Sequence, residues 1–208
     1  MDKNKIAIST YEKIADIYTK KYYSDLSDTP FIDIFLNKLK KGSCILDVGC
    51  GPGQFVKYMM SKGFNVIGVD YSKKMLEIAR EKVPNGDFRF MDIRTLDFAD
   101  RNFDGILAAY SLIHIKSEEI PKTLSGFKRV LKPGAYIEII VQRGEADKII
   151  NEPFMPSEKI YFNFFTGRRL RDYLEKADFS IEYQKETDTQ DSDSGSDMVI
   201  YTIAKKNK

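Results

Sequence analysis

The sequence predicts an α/β fold with a doubly wound, mostly parallel seven-stranded sheet that ends in an antiparallel hairpin. Short apolar segments alternate with segments of helical periodicity over most of the chain, and two strand-like segments follow each other directly near its end. Parallel strands need crossover connections, which helices supply, whereas consecutive strands joined by a polar segment form a hairpin. Together these patterns predict a sheet covered by helices on both faces.

The elements follow from apolar periodicity in chain order. CILDV is an apolar run that ends in an acid and glycines, which is typical of a buried parallel strand. SKKMLEIAREKV has helical spacing, with Ser72 as the expected N-cap. The predicted strands are 44–48, 65–70, 87–92, 103–110 and 135–141, then 179–186 and 197–204. The predicted helices are 9–23, 31–41, 54–61, 72–83, 118–131 and 166–176.

Composition limits the classes of protein. A chain of 208 residues fits one domain, 1–208, and 33 Lys and Arg against 31 Asp and Glu give a formal charge of +2. This balance disfavours nucleic acid as the partner. With only Cys44 and Cys50 as cysteines and no apolar stretch of about 18 residues, we expect a soluble, cytoplasmic protein without a membrane span or a disulfide. We predict no metal site.

The turn after the first strand, DVGCGPG at 47–53, is the most informative segment. Three glycines permit a tight turn and leave no Cβ atoms to block a ligand that lies against the backbone. The following helix directs free N–H groups and its positive dipole end at the same space. Dinucleotide-binding turns have the pattern Gly-x-Gly-x-x-Gly, but here the third glycine comes one residue early.

A Gly-x-Gly-x-Gly turn after an acid, with a second acid ending the next strand, resembles the first motif of class I S-adenosylmethionine-dependent methyltransferases. The resemblance continues in order through VIGVDYSKKMLEIA, the Asp92-Ile93 pair and FDGILAAYSLIHI. FKRVLKPGAYIEI is similar to the segment that follows in small-molecule members, including enzymes that methylate quinone precursors. The resemblance covers about residues 10–140 and implies a methyltransferase with S-adenosylmethionine as its cofactor.

The resemblance also implies roles for individual residues. Asp70 would accept from both ribose hydroxyls, Tyr71 and Met75 would flank the adenine, and Asp92 would accept from its exocyclic amine. Met75 fits equally well as an ordinary residue of a helix core. The cofactor-binding residues implied are Tyr11, Tyr18, Asp47, Gly49, Cys50, Gly51, Gly53, Asp70, Tyr71, Met75, Asp92, Ile93 and Ala109.

The methionine end of the cofactor would lie against the glycines, with Asp47 orienting the turn and the Ala109 carbonyl accepting from the ammonium. Tyr110 would stand where the transferred methyl emerges. His114 is either a general base or a packed residue bonded to backbone, and methyl transfer from a sulfonium needs little acid–base help. Tyr110 and His114 are the candidate catalytic residues.

The resemblance, together with the unusual length of one connection, divides the chain by role. Residues 1–41 form a helical lid, in which Tyr11 and Tyr18 either reach the cofactor or simply pack the helix. Residues 42–141 form the cofactor-binding core, and 167–208 the last helix and hairpin. Residues 142–166 are expected to be a substrate-side flap, with Arg143 or Arg168 available for an acidic group. Its candidate acceptor-lining residues are Phe154, Met155, Tyr161, Phe162, Phe164 and Phe165.

Several functions remain open from the sequence. The first is methyl transfer to an O, N or C nucleophile of a small molecule. A macromolecular acceptor is the second, with basic residues at 38–41 and 167–171 as a local patch. A non-catalytic cofactor-binding protein and a nicotinamide-dependent oxidoreductase are the others. The acidic, Ser-rich segment 187–197 is expected to be a solvated loop. A monomer and a homodimer are both compatible with the sequence.

Overall fold

The computed structural model describes residues 3–188 and 198–208. The helices in these ranges are α1 Lys3–Tyr22, α2 Thr29–Leu36, α3 Gln54–Ser61, α4 Lys73–Lys82, α5 Ile120–Val130 and α6 Gly167–Lys176. The strands are β1 Cys44–Val48, β2 Asn65–Asp70, β3 Asp87–Phe90, β4 Phe103–Ala109, β5 Leu131–Gln142, β6 Lys148–Glu152, β7 Met155–Phe162, β8 Phe179–Asp188 and β9 Met198–Lys206. A short 3₁₀ turn follows β4 at Leu112–His114.

The central sheet has seven strands in the order β3-β2-β1-β4-β5-β9-β8. Strands β1 to β5 pair in parallel, while β9 runs antiparallel to both β5 and β8. The predicted fold class is therefore confirmed, including the antiparallel hairpin at the end. The strand order reverses between β1 and β4, and ligands of open α/β sheets bind at the carboxyl ends of strands on either side of such a point.

Helices cover both faces of the sheet, because the strands carry apolar side chains on both sides. On one face Phe127 of α5 packs in a core that includes Ile139 of β5. On the other, Phe35 of α2 and Met59 of α3 pack in a core that includes Leu107 of β4. The two cores fix the positions of the strand ends from which the candidate site is built.

Helix N-termini follow local sequence signals. The Ser72 hydroxyl accepts from the Met75 backbone N–H at 3.1 Å, as expected of the N-cap of α4. The Thr166 hydroxyl accepts from the Arg169 N–H at 3.1 Å and caps α6 in the same way. Cys44 and Cys50 are both free thiols.

The structure corrects some predicted boundaries. Strand β3 ends at Phe90, so Asp92 lies in the turn beyond it, and α2 ends at Leu36 rather than near Lys41. Segment 142–166 is not a plain loop, because β6 and β7 pair there as a separate antiparallel sheet. This hairpin forms because Ile160 and Phe162 are buried in the core. Most of the expected loop at 187–197 lies outside the described residues.

Candidate functional site

The glycine-rich turn between β1 and α3 has backbone angles that residues with a side chain rarely adopt. Gly49, Gly51 and Gly53 have φ values of 78°, 51° and 85°. A Cβ atom on Gly49 would lie 2.6 Å from the Cβ of Ser111, whereas one on Gly51 would meet nothing within 4 Å. Gly49 therefore allows β1 and the end of β4 to approach each other, and Gly51 leaves open space beside the turn.

Asp70 joins this turn to the end of β2. One carboxylate oxygen, Oδ2, accepts from the Gly51 N–H at 2.9 Å, and the other, Oδ1, accepts from the Ser72 N–H at 2.8 Å. Burial raises the pKa of Asp70, and these backbone N–H bonds oppose the rise. Each carboxylate oxygen can accept a second bond, so Asp70 retains acceptor capacity toward a ligand.

Together these residues line a cavity at the carboxyl ends of the parallel strands. It lies over the turn and reaches the segment after β3 and the end of β4. The predicted residues that line it are Tyr11, Tyr18, Gly49, Gly51, Asp70, Tyr71, Met75, Asp92, Ile93, Ala109, Tyr110 and His114. The chain thus gathers most of the predicted site residues around one space.

Three predicted contacts, Asp47, Cys50 and Gly53, do not line this cavity and support the turn from behind. Burial, together with the nearby Asp70, raises the pKa of Asp47 to about 8. Its Oδ2 atom has no hydrogen-bond partner among the described residues. Cys50 is buried, which raises the pKa of its thiol, and a Cβ on Gly53 would press on the Phe88 ring at 2.9 Å. Direct ligand contact from Cys50 and Gly53 is not supported.

The far end of the cavity is aromatic and acidic. The Tyr71 ring stacks on Phe90 with centroids 4.7 Å apart, and both side chains are exposed on their outer sides. Met75 is buried in a small cluster that includes Ala15 and also lines the cavity, so it has a role in the core and its contact with the cofactor stays a prediction. This end of the cavity, the slot beside Tyr71 and Met75, therefore offers an aromatic ring and a thioether to a ligand.

Asp92 is held by an ion pair that the sequence analysis missed. Its Oδ2 accepts from Arg94 at 2.6 Å, and the same guanidinium donates to Glu119 at 3.0 Å. Arg94 also lines the cavity. The pair fixes the Asp92 carboxylate beside the slot. The sequence signal was Asp-Ile-Arg, in which the spacing of two lets a fork-shaped guanidinium grip the acid.

The end of β4 supplies Tyr110 and Ser111. Tyr110 has a φ of 54°, which is unfavourable for a residue with a Cβ atom, and its backbone N–H donates to the Ile140 carbonyl at 2.8 Å. Its hydroxyl donates to Asp28 at 3.1 Å. The Ser111 hydroxyl oxygen is buried without a partner among the described residues, although the residue lines the cavity. An unpaired buried hydroxyl at this position fits a polar ligand group.

His114 is bonded at both ring nitrogens. Its Nδ1 lies 3.0 Å from the Tyr161 carbonyl oxygen, which only accepts, so Nδ1 carries the proton. Its Nε2 lies 3.0 Å from the Tyr11 hydroxyl and therefore accepts from it. Burial lowers the pKa of His114 to about 4. The ring is neutral at pH 7 with its free lone pair occupied, which favours the packed interpretation over the general base.

Helix α1 lies over the cavity and is attached on two sides. The Glu12 carboxylate accepts from the Lys73 N–H at the start of α4 at 2.5 Å, and Thr10 donates to the Lys159 carbonyl of β7 at 2.9 Å. Tyr11 and Tyr18 meet edge to face with centroids 5.6 Å apart. Both rings line the cavity, so this helix lies over it, and the contact of the two tyrosines with a cofactor stays a prediction.

A second cavity of about 740 Å³ lies beyond the first and shares Tyr11, Tyr18 and Tyr110 as lining residues. It is enclosed by α1, the segment before α2, the β6–β7 hairpin and the ends of β5 and β9. A volume of this size is in the range of small-molecule sites. The two spaces are thus separated by three tyrosine side chains.

Asp28 and Tyr201 are among the residues of this second cavity that sequence reasoning missed. Asp28 precedes Thr-Pro, a common start of a helix, yet its carboxylate makes no capping bond to α2. Instead Oδ1 accepts from the hydroxyls of Tyr110 at 3.1 Å and Tyr201 at 2.6 Å. Nothing in the local sequence indicates these partners, because they lie 82 and 173 residues away.

Of the side chains proposed for the acceptor, Phe154 and Phe162 line the second cavity. Met155, Tyr161, Phe164 and Phe165 do not, and the last three are buried in the core. Arg143 pairs with Glu186 at 2.9 Å, and neither Arg143 nor Arg168 lines either cavity. The expected cationic contact to an acidic acceptor is therefore wrong for these two residues.

Two of the basic residues that were proposed as a local patch are bound to partners within the protein. Lys38 forms an ion pair with Glu182 at 2.7 Å. Arg169 is turned inward, donating to the Phe164 carbonyl and the Ser117 hydroxyl.

In the part of the chain that the structure describes, no helix has the length and apolar character needed to cross a membrane. The same residues contain no group of three or more His, Cys, Asp or Glu side chains placed to hold a metal ion.

Comparison with known proteins agrees with this geometry. A family described as a methyltransferase domain matches residues 45–134. The demethylmenaquinone methyltransferase of Symbiobacterium thermophilum is 35% identical over 135 residues, which are 61% of this chain and 49% of that protein. The probable tRNA methyltransferase 9B of Bos taurus is 31% identical over 135 residues, 62% of this chain and 29% of that protein. This chain thus spans half or less of the length of these two relatives.

Among solved structures, the magnesium protoporphyrin IX methyltransferase of Synechocystis, determined with bound S-adenosylmethionine, has a TM-score of 0.77 at 16% identity. The match covers 100% of this chain and 98% of that one. Fold and domain match define a Rossmann-like methyltransferase domain. The matched residues 45–134 carry a domain of the class I S-adenosylmethionine-dependent methyltransferase family, whose cofactor is S-adenosylmethionine.

Proposed function

We propose that this protein transfers the methyl group of S-adenosylmethionine to a nucleophilic atom of a small-molecule acceptor. The observation that carries the proposal is the pair of adjoining cavities, one over the glycine-rich turn and one of about 740 Å³ beyond it, with Tyr11, Tyr18 and Tyr110 between them. A cofactor in the first and an acceptor in the second would meet at these tyrosines. S-adenosylmethionine supplies an electrophilic methyl group and leaves as the neutral thioether S-adenosylhomocysteine.

The residues of the first cavity fit this cofactor. Asp70 keeps acceptor positions for two ribose hydroxyls, and the cavity presents Tyr71 and Met75 to an adenine ring, with Asp92 and Ile93 as its polar partners. The open space at Gly51 admits the methionine portion against the backbone. The Ser111 hydroxyl, which is unpaired among the described residues, and the carbonyl of Ala109 are the acceptors that we assign to its ammonium.

This chain's own contribution is positioning and water exclusion. Because the sulfonium is a good leaving group, alignment of nucleophile, methyl carbon and sulfur supplies much of the rate enhancement. Helix α1 closes the site with Tyr11 and Tyr18, and the strained Tyr110 aims its ring between the two cavities. We assign no proton transfer to His114, because its basic nitrogen is engaged by Tyr11.

Isothermal titration with S-adenosylmethionine, S-adenosylhomocysteine and NAD tests the proposal. We expect micromolar binding of the two sulfur nucleotides and no heat from NAD. Binding of NAD alone would replace the proposal with a nicotinamide-dependent enzyme. Binding of the sulfur nucleotides without methylation of any acceptor would indicate a cofactor-binding protein that does not catalyse.

A tRNA acceptor is the second candidate, because relatives named as probable tRNA methyltransferases match this chain. A concave, aromatic-lined cavity and the paired state of Lys38 and Arg169 favour the small molecule. Binding of unmodified tRNA measured between 50 and 200 mM salt separates the two candidates. Tight, steeply salt-dependent binding would favour RNA.

A further inference from the structure

The second cavity has an unusual polarity for a space walled by aromatic rings. Its lining includes the rings of Tyr22, Phe31, Phe154 and Phe162. It also includes three acids, Asp25, Asp28 and Glu152, against one cation, Lys21, among the described residues that line it. Aromatic faces and carboxylates together attract cations, whereas they repel an anionic ligand.

The cavity wall already holds one ammonium group in this manner. The Lys21 ammonium lies 5.2 Å from the centroid of the Tyr22 ring and 5.5 Å from that of Phe154. These two rings meet at 73° with centroids 5.9 Å apart. The aromatic corner at the mouth of the cavity is thus built in a geometry that a nitrogen cation occupies.

Asp28 is the acid best placed for a reacting group. It is 8% exposed, and Tyr110 and Tyr201 both donate to Oδ1, so Oδ2 receives neither of these bonds. Tyr110 lines both cavities, which puts Asp28 directly behind the junction between them. Glu152 is fixed differently, since its Oε2 accepts from the N–H groups of Phe154 at 2.7 Å and Met155 at 2.8 Å.

Two amide side chains add neutral partners. The Oε1 atoms of Gln54 and Gln142 are buried and have no hydrogen-bond partner among the described residues, and both residues line this cavity. Buried amide groups are normally satisfied, so a ligand with several polar hydrogens would complete them. The lining as a whole favours a ligand that donates hydrogen bonds over one that accepts them.

We propose that the methyl acceptor is an amine carried on an apolar or aromatic framework, and that Asp28 binds its nitrogen and takes its proton. This inference rests on the proposed methyltransferase function and narrows its nucleophile from O, N or C to N. The acceptor would enter as an ammonium ion, held by the ring faces and the carboxylates. Asp28 would receive a hydrogen bond from it through Oδ2.

The step balances with the groups at hand. An ammonium has no lone pair and is repelled by a sulfonium, so it must first lose a proton, which passes to the Asp28 carboxylate. Burial raises the pKa of Asp28, which makes that transfer less uphill. The nitrogen lone pair then forms the N–C bond as the C–S bond breaks, and the methylated product leaves as an ammonium ion with a neutral thioether. No oxidant or metal is required.

The test uses the intact protein saturated with S-adenosylhomocysteine and three probes of matched framework: 2-phenylethylamine, 2-phenylethanol and 3-phenylpropanoate. Calorimetry should give an affinity for the amine at least about tenfold above that for the alcohol or the carboxylate, as expected for a charge-assisted bond. Asp28→Asn should remove at least about tenfold of the amine affinity while leaving the affinity for S-adenosylhomocysteine within about twofold.

Asp33→Asn is the matched control, because Asp33 also lies on this segment and also accepts from a tyrosine hydroxyl, that of Tyr58 at 2.9 Å, but lines neither cavity. It should change neither affinity. Equal binding of the three probes, no binding of any of them, or a preference for the amine that survives in Asp28→Asn would overturn the inference while the methyltransferase proposal stands. Failure of S-adenosylhomocysteine to bind at all would instead overturn the function on which it rests.

Discussion

The two sides of the site are held together in different ways. The glycine-rich turn and Asp70 are built from backbone geometry and short-range bonds, such as those from Gly51 and Ser72 to the Asp70 carboxylate. The covering side depends on side chains far apart in sequence, as in the contacts of Asp28 with Tyr201 and of Tyr11 with His114. We infer that the first side tolerates little substitution, whereas the second can be altered one contact at a time.

A substitution in the glycine-rich turn should therefore have the largest effect on the free energy of unfolding. Gly49→Ala places a Cβ 2.6 Å from that of Ser111 at a φ of 78°. Strain and overpacking together should lower the free energy of unfolding by about 3 kcal/mol. Gly126→Ala in α5, whose Cβ would meet nothing within 4 Å, should raise it by about 0.5–1 kcal/mol. Urea unfolding measures the stability of both variants. Equal stabilities would mean that the turn tolerates a side chain as well as helix α5 does.

Sequence patterns predict the glycine-rich turn and the position of Asp70 well for a physical reason. Positive φ values at glycines and an acid that binds neighbouring N–H groups are local requirements, so they leave a mark at fixed spacing around Gly49 and Asp70. The acceptor side leaves no such mark. Asp28 and Tyr201 meet only because α2 packs beside the last strand. The β6–β7 hairpin is fixed by burial against α1 as well as by the Glu152 carboxylate, which accepts from two N–H groups of its turn.

The covering side contains a group whose protonation should control stability. Burial lowers the pKa of His114 to about 4, below its value of about 6.5 in an unfolded chain. Between these values the unfolded state binds the proton and the folded state does not, so stability falls as the pH drops from about 6.5 to about 4. The ring is partly accessible, and we expect a loss of about 2 kcal/mol.

His114→Asn isolates this contribution, since it removes the titrating ring. Urea unfolding of both proteins at several pH values gives the difference in free energy, in which the carboxyl groups common to both cancel. The difference should shift by about 2 kcal/mol in favour of the variant between pH 7 and pH 4.5. A difference that is independent of pH would mean that His114 titrates alike in the folded and unfolded states.

Asp70→Ala tests the first side of the site through the affinity for a ligand. Loss of the charged acceptor should weaken S-adenosylhomocysteine more than about tenfold, or about 1.4 kcal/mol. Asp87→Ala serves as a control, because Asp87 lies on the neighbouring strand β3 and pairs with Arg89 away from the cavity. Calorimetry should show that Asp87→Ala binds S-adenosylhomocysteine with unchanged affinity. A loss below twofold in Asp70→Ala would remove this residue from the cofactor site.

Tyr11→Phe should have the smallest effect and bears most directly on how α1 is held. The variant keeps the ring contact with Tyr18 but removes the hydrogen bond to His114 Nε2. Because burial raises the pKa of Tyr11, its hydroxyl stays protonated and donates, so its loss leaves Nε2 unsatisfied at a cost of about 1 kcal/mol. Tyr23→Phe, which removes a long, exposed bond to Lys82, should cost under about 0.5 kcal/mol. Hydrogen exchange should then be faster in α1 of Tyr11→Phe and unchanged in β1. Equal acceleration in both elements would mean that cover and sheet open together and that the two sides are one cooperative unit.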